Sequence, residues 1–200
     1  MLGQVVSRLR LSKRLADIVI VIAPDDTGEL VAECDRLGVK WSKHDPGKRD
    51  ALAEYAEAAA KYKAGTIVRI TSDCPCIDPW EMDGIIAFHA GERLDYIYNR
   101  CDSKPNGWTD GFDVEVFSAT ALFEAYHKAT VSYDREHVTP WMRRNLSLRC
   151  TSAFPPQVKL PPNLMLSINT KEQYDFVYDL YSKLPDGFTT QDILDIIERR

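Results

Sequence analysis

Thr66-Ile67-Val68-Arg69-Ile70-Thr71-Ser72-Asp73-Cys74-Pro75 carries a buried-strand signature that runs directly into a polar turn. Residues 66–70 are β-branched apart from one arginine, the pattern of a strand covered on both faces, and Pro75 brings no donor to continue a ladder. The strand therefore ends near a carboxylate, Asp73. Ligands of open α/β sheets sit beyond the carboxyl ends of the strands, which makes Asp73 the leading candidate for a functional group. A hard cation such as magnesium suits a carboxylate there; the alternative is a turn aspartate bonded to its own backbone.

Working outward, Ile18-Val19-Ile20-Val21-Ile22 is a second apolar run, closed by Ala23-Pro24-Asp25-Asp26. Leu30, Val31, Cys34 and Leu37 then recur at helical spacing, Gly38 gives the left-handed stop, and Val39-Lys40-Trp41 reads as extended. Ala51, Leu52, Tyr55, Ala58, Ala59 and Tyr62 share one face of the next helix, which ends at Ala64-Gly65. Beyond the opening stretch a helix begins near Pro79. Strands are expected over 94–98, 113–117, 148–151 and 164–168, and helices over 119–129, 133–145 (bent or interrupted by Pro140), 171–184 and 191–199. Strand and helix alternate, which predicts an α/β chain with parallel pairing and right-handed crossovers. The Pro-rich stretch 155–162 is too short for a domain linker and no internal repeat occurs, so one domain over residues 1–200 is expected.

A chain of 200 residues with 44% apolar and 28% charged residues and a net charge of −5 is ordinary for a globular protein. That balance argues against disorder and against a nucleic-acid partner. The absence of a membrane-length apolar run, and of a basic-then-apolar opening, points to a cytoplasmic protein without membrane association. Five cysteines (Cys34, Cys74, Cys76, Cys101, Cys150) form no C-x-x-C pair, which fits a reducing compartment and small buried side chains rather than a zinc site.

Other polar residues divide between structure and function. Asp78-Pro79-Trp80-Glu81 reads as an N-cap, a first-turn proline and a reciprocal acidic cap, and Thr170-Lys171-Glu172-Gln173 as a capping box that leaves Asn169 at a strand end. In Asp110-Gly111-Phe112-Asp113-Val114-Glu115, extended backbone would put Asp113 and Glu115 on one face, as a solvated strand edge or as a substrate contact. Arg135-Glu136-His137 reads on its own as an exposed helix with local ion pairs, or as a cation, acid and imidazole offered to a substrate. No phosphate-binding G-x-x-x-x-G-K-[ST] or G-x-G-x-x-G motif is present, nor the G-x-S-x-G of a serine nucleophile or the H-E-x-x-H of a zinc site.

In order and spacing these segments resemble the spore-coat polysaccharide cytidylyltransferase-like family, kin to the CMP-sialic acid and CMP-Kdo synthetases. Val68-Arg69-Ile70-Thr71-Ser72-Asp73-Cys74-Pro75 is similar to that family's V-R-I-T-G-D-C-P, residues 110–117 to D-G-L-D-V-E-V-F, and Arg135-Glu136-His137-Val138-Thr139-Pro140 to R-E-H-V-T-P. The resemblance implies a three-layer, doubly wound, mostly parallel α/β fold of the nucleotide-diphosphosugar transferase type. It also implies magnesium-dependent transfer of CMP from CTP to a sugar acid or related sugar, in surface polysaccharide biosynthesis. In that scheme Asp73 is the catalytic carboxylate and, with Asn169, a magnesium ligand. Thr71, Ser72, Asp113, Glu115, Arg135, Glu136 and His137 are the substrate-binding residues. CTP and a small sugar are the implied partners, and a homodimer is left open.

The chain departs from the family pattern in two places. Where relatives carry an aspartate in R-x-T-V-D-T-P-E-D, this chain has Asn169, which offers a carbonyl oxygen without charge. The family's N-terminal strand and its Gly-, Ser- and Arg-rich phosphate loop would lie before Met1, so a fragment or mis-called start is expected, with residues 1–9 as the helix after that loop. A catalytically inactive sugar- or nucleotide-binding relative and a glycosyltransferase of similar architecture are the competing readings.

Overall fold

The computed structural model describes residues 1–43, 50–99 and 106–199, so Cys101 lies outside the described residues. The elements follow in the order α1 (Leu2–Leu9), β1 (Val19–Ile22), α2 (Glu29–Leu37), β2 (Lys40–Lys43), α3 (Ala51–Lys61), β3 (Thr66–Arg69) and α4 (Pro79–Gly91). Then come β4 (Tyr96–Tyr98), β5 (Glu115–Ser118), α5 (Ala119–Lys128), α6 (Ser132–His137), α7 (Pro140–Arg144), β6 (Cys150–Ser152), α8 (Lys171–Tyr181) and α9 (Thr190–Glu198). None of the described helices is long and apolar enough to cross a membrane.

The strands form a parallel pair, β1 with β2, and a four-stranded sheet in the order β3-β5-β4-β6. Within the larger sheet β3, β4 and β6 share one direction and β5 opposes them. The parallel pairing expected of a strand-helix-strand unit holds for β1 with β2, but not for β3, whose neighbour is β5, antiparallel. The reversal begins where the Asn99 N–H donates to the Val114 carbonyl at 3.1 Å, so the chain leaving β4 returns beside it. Among the described residues no backbone hydrogen bond joins β1 to β3.

Period-two alternation sorts the sheet's side chains into two cores. Tyr96 and Phe117 face Leu52, Ala56 and Ala59 of α3 and Ala121, Leu122 and Ala125 of α5. Ile97 and Val116 point the other way, onto Val5 and Leu9 of α1 and Met82 and Ile85 of α4. Helices thus cover both faces, giving the three-layer α/β sandwich, and each fully buried Leu, Ile or Met contributes about 1.5–3 kcal/mol. Leu166, Val177, Leu180 and Ile193 form a third cluster under α8 and α9.

Caps fix the helix starts. Asp78 Oδ1 accepts from the N–H groups of Trp80 (2.9 Å) and Glu81 (3.2 Å), while its Oδ2 accepts from Thr190 N–H and Oγ1 at 2.9 and 2.8 Å. One buried carboxylate therefore caps α4 and fastens the start of α9. Glu81 does not return the cap; it turns to the Gln157 N–H at 2.8 Å. The Thr170 capping box forms as its spacing requires. Two further expectations are corrected. Residues 164–168 make only an isolated bridge, Asp110 to Met165, rather than a strand. The helix expected over 133–145 breaks at Val138, before Pro140, because Val138 takes φ 70° and ψ −55°.

Candidate active site

Antiparallel pairing brings the start of β5 beside the end of β3. Arg69 is opposite Glu115, and Glu115 is in turn opposite Tyr98 of β4. Over these strand ends opens a cavity of about 300 Å³, lined by Arg69, Thr71, Asn99, Asp113, Glu115, Tyr133, His137, Thr139 and Arg143.

Glu115 is the hub of that cavity. Its Oε1 accepts from Tyr96 Oη (2.5 Å), Thr139 Oγ1 (2.6 Å) and the Arg143 guanidinium (3.1 Å), and its Oε2 accepts from Arg69 at 2.6 Å. Burial, and then the charge of Glu115, hold the Tyr96 phenol well above its ordinary pKa, so it remains a donor. With both oxygens engaged, Glu115 holds the two arginines in the cavity wall. Arg143 also donates to Tyr96 Oη (2.9 Å) and lies 4.2 Å from the centre of the Tyr98 ring, which fixes its plane.

Asp113 is positioned by its neighbours in sequence. Asn99, almost fully buried, donates through Nδ2 to the Phe112 carbonyl (2.6 Å) and accepts at Oδ1 from the Val114 N–H (2.8 Å), clamping the residues on either side of Asp113. Gly111 explains the preceding glycine. At φ +98° it is left-handed, and a Cβ there would come within 2.4 Å of the Leu166 carbonyl carbon and 2.5 Å of the Ser167 nitrogen.

That close approach seats the 165–169 segment between the two acidic motifs. The Leu166 N–H donates to the Asp110 carbonyl and the Ile168 N–H to the Asp73 carbonyl, both at 2.9 Å, so Asn169 follows directly the residue bonded to Asp73. The Asp73 side chain is half-buried, accepts from the Cys74 thiol at 3.6 Å, and lies outside the cavity lining, while Asn169 is exposed. Burial pushes the Cys74 thiol up to about 12, which removes it as a nucleophile at neutral pH. Thr71 lines the cavity, and Ser72 is exposed and does not.

The Arg135-Glu136-His137 segment divides. Arg135 is held by Asp50 (2.6 Å) and by the carbonyls of Tyr126 (3.1 Å) and Ala129 (3.0 Å), which ties α6 to α3 and α5 and takes it out of the cavity wall. Glu136 is exposed and outside the lining. His137 does line the cavity, with its ring 4.3 Å from that of Tyr133. After it, Val138 at φ 70° and ψ −55° and the Thr139 N–H to His137 carbonyl bond of 2.8 Å form a γ-turn of the rare kind. A β-branched residue in that region costs about 1–3 kcal/mol, offset here by a side chain buried completely in the core.

Sequence reasoning passed over Arg69, Asn99, Tyr133, Thr139 and Arg143 as site residues. Arg69 carried a signal, a lone charge inside an apolar strand, which demands a buried partner. Thr139 stood inside the 135–140 motif, whereas Asn99, Tyr133 and Arg143 carried no signal, because their roles depend on contacts across the fold.

The sandwich is matched in known proteins. The chain is 27% identical over 170 residues to the spore coat polysaccharide biosynthesis protein SpsF of Bacillus subtilis, a match spanning 84% of this chain and 68% of that one. A cytidylyltransferase structure from Leptospira borgpetersenii superposes with a TM-score of 0.85 at 24% identity, covering 99% of this chain and 82% of that one. CMP:2-keto-3-deoxy-manno-octonic acid synthetase complexed with CTP gives a TM-score of 0.63 at 10% identity, over 90% and 87% of the two chains. With the cytidylyltransferase family model matched over residues 1–192, the chain belongs to the cytidylyltransferase family.

Proposed function

We propose that this chain transfers CMP from CTP to a sugar acid, with the nucleotide phosphates and a divalent cation at Asp73 and the sugar in the cavity beneath Arg69 and Arg143. The observation that carries the reading is the pair of guanidinium groups braced on one carboxylate, Glu115, in the wall of that cavity. Each guanidinium has five N–H donors, more than Glu115 can occupy, so donor capacity remains for an anionic group on the incoming sugar.

The residues near Asp73 fit a cation of the magnesium kind only together with the nucleotide. Among the described residues no three His, Cys, Asp or Glu side chains group to hold a metal. Magnesium is commonly held by one or two carboxylates plus substrate phosphates and water, a role open to Asp73 with the Asn169 carbonyl oxygen. When bound, such an ion offsets the charge that develops on the departing pyrophosphate. The chain's own side chains orient the acceptor. Arg69 and Arg143 fix the acid end, His137 and Thr71 hydrogen-bond hydroxyl groups, and Asp113 faces the same space. The attacking sugar hydroxyl gives up its proton to solvent as it forms the new oxygen–phosphorus bond at the α-phosphate, and the bond from that phosphorus to pyrophosphate breaks, pyrophosphate leaving with the electron pair.

Pyrophosphate release from CTP and magnesium, measured with 2-keto-3-deoxy sugar acids and with neutral sugars, tests this. Release with an acid sugar and not with neutral ones is expected; release with neutral sugars alone defeats the acid assignment, and none at all defeats the transfer. Asn169 favours a second reading, a protein that binds the same ligands without turnover. Calorimetric binding of CTP with no pyrophosphate release would establish that one.

A further inference from the structure

The break between α6 and α7 falls on the residue least suited to it. Val138 is β-branched and buried, yet occupies φ 70°, while glycine or asparagine would enter that region at lower cost. Every side of the turn is anchored. The Val138 N–H donates to the Asp134 carbonyl (3.0 Å), the Asp134 carboxylate is held by Arg144 at 2.7 and 2.8 Å, and the Arg143 N–H donates to the Thr139 carbonyl (3.0 Å). The two residues flanking Val138 both line the cavity, and one of them, Thr139, donates to the carboxylate that braces both arginines.

We propose that the Val138 turn is a positioning device for the cavity. Held at positive φ by its buried side chain, it places Thr139 Oγ1 on Glu115 and turns His137 to the cavity mouth, so the arginine brace and the imidazole keep one fixed spacing. A regular helical residue at 138 would carry Thr139 around by about 100°, a turn of the 3.6-residue helix divided among its residues, and away from Glu115. Val138 itself touches no substrate. The consequence for substrate affinity rests on the function proposed above, whereas the turn and its hold on Thr139 do not.

Val138→Ala and Val138→Gly separate the turn from the side chain. Both lose buried apolar contact, but only glycine adopts positive φ without strain. Glycine is expected to melt about 2–4 °C above alanine, the reverse of the usual order inside helical segments. Crystal structures of the two variants should show the Thr139–Glu115 hydrogen bond kept with glycine and broken with alanine. In steady-state assays with a 2-keto-3-deoxy sugar acid, alanine should raise the sugar KM about tenfold relative to glycine while the KM for CTP moves little, since small misplacements near reacting groups are amplified. Alanine melting at or above glycine, or a Thr139–Glu115 bond retained with alanine, overturns the proposal. So does an equal sugar KM in two active variants. Inactivity of the unsubstituted protein with every sugar acid would defeat the proposed function, and the melting order and the crystal structures would still decide the turn.

Discussion

Replacing Glu115 by glutamine should destabilise the fold by about 3 kcal/mol. The carboxylate is 7% exposed and receives four donors, two of them arginines. A hydrogen bond to a charged group contributes about 1.5–3 kcal/mol. The Arg69 contact, with that side chain 22% exposed, counts near the upper end of that range, while Arg143 at 37% is screened and counts well below it. Tyr96 and Thr139 keep an acceptor in the amide oxygen, but the amide N–H₂ faces Arg69, donor against donor. For a chain of 200 residues the sum corresponds to a melting point lower by about 6–12 °C. Urea unfolding near neutral pH, followed by circular dichroism, reads the change, and Arg69→Met combined with Glu115→Gln should cost less than the two added separately. A loss below about 0.5 kcal/mol, the ordinary range of a surface substitution, would refute the view of Glu115 as a brace.

Other consequences are as direct. Gly111→Ala forces a Cβ into the 165–169 backbone at a left-handed position, so it should cost at least about 2 kcal/mol in urea and weaken CTP binding measured by calorimetry. Asp78→Ala removes the cap of α4 and the anchor of α9 together and should lower stability by about 2–4 kcal/mol in the same unfolding experiment. Burial holds the His89 imidazole below its usual 6.5, so the unfolded chain binds that proton first. Stability from this group is complete above pH 6.5 and drains as pH falls through the lower folded value, and melts recorded across that range should show a slope that His89→Leu flattens.

Much of the fold was legible because its signals are local. The runs 18–22 and 66–70, the Gly38 stop and the Thr170 capping box each depend on residues within a few positions, and each stands where its pattern put it. Strand partners are not local. Nothing in the neighbourhood of β3 announces β5, and the reversal depends on Asn99 meeting Val114, 15 residues along the chain. The site divides in the same way. Asp113 and His137 line the cavity, whereas the motif residue Arg135 is held by Asp50 outside its lining. The arginines that shape the cavity meet Glu115 from 46 and 28 residues away, a distance over which spacing carries no information. Val138 was illegible for another reason: its backbone contradicts its own propensity, and only the surrounding fold imposes it.

The most direct measurement is the affinity for CTP, with and without magnesium, of the unsubstituted chain and of Asp73→Asn. A carboxylate that shares a cation with the nucleotide phosphates predicts that magnesium tightens binding by about tenfold or more, and that the asparagine variant loses most of this gain while remaining folded. Equal tightening in both proteins would show that position 73 takes no part in holding the nucleotide.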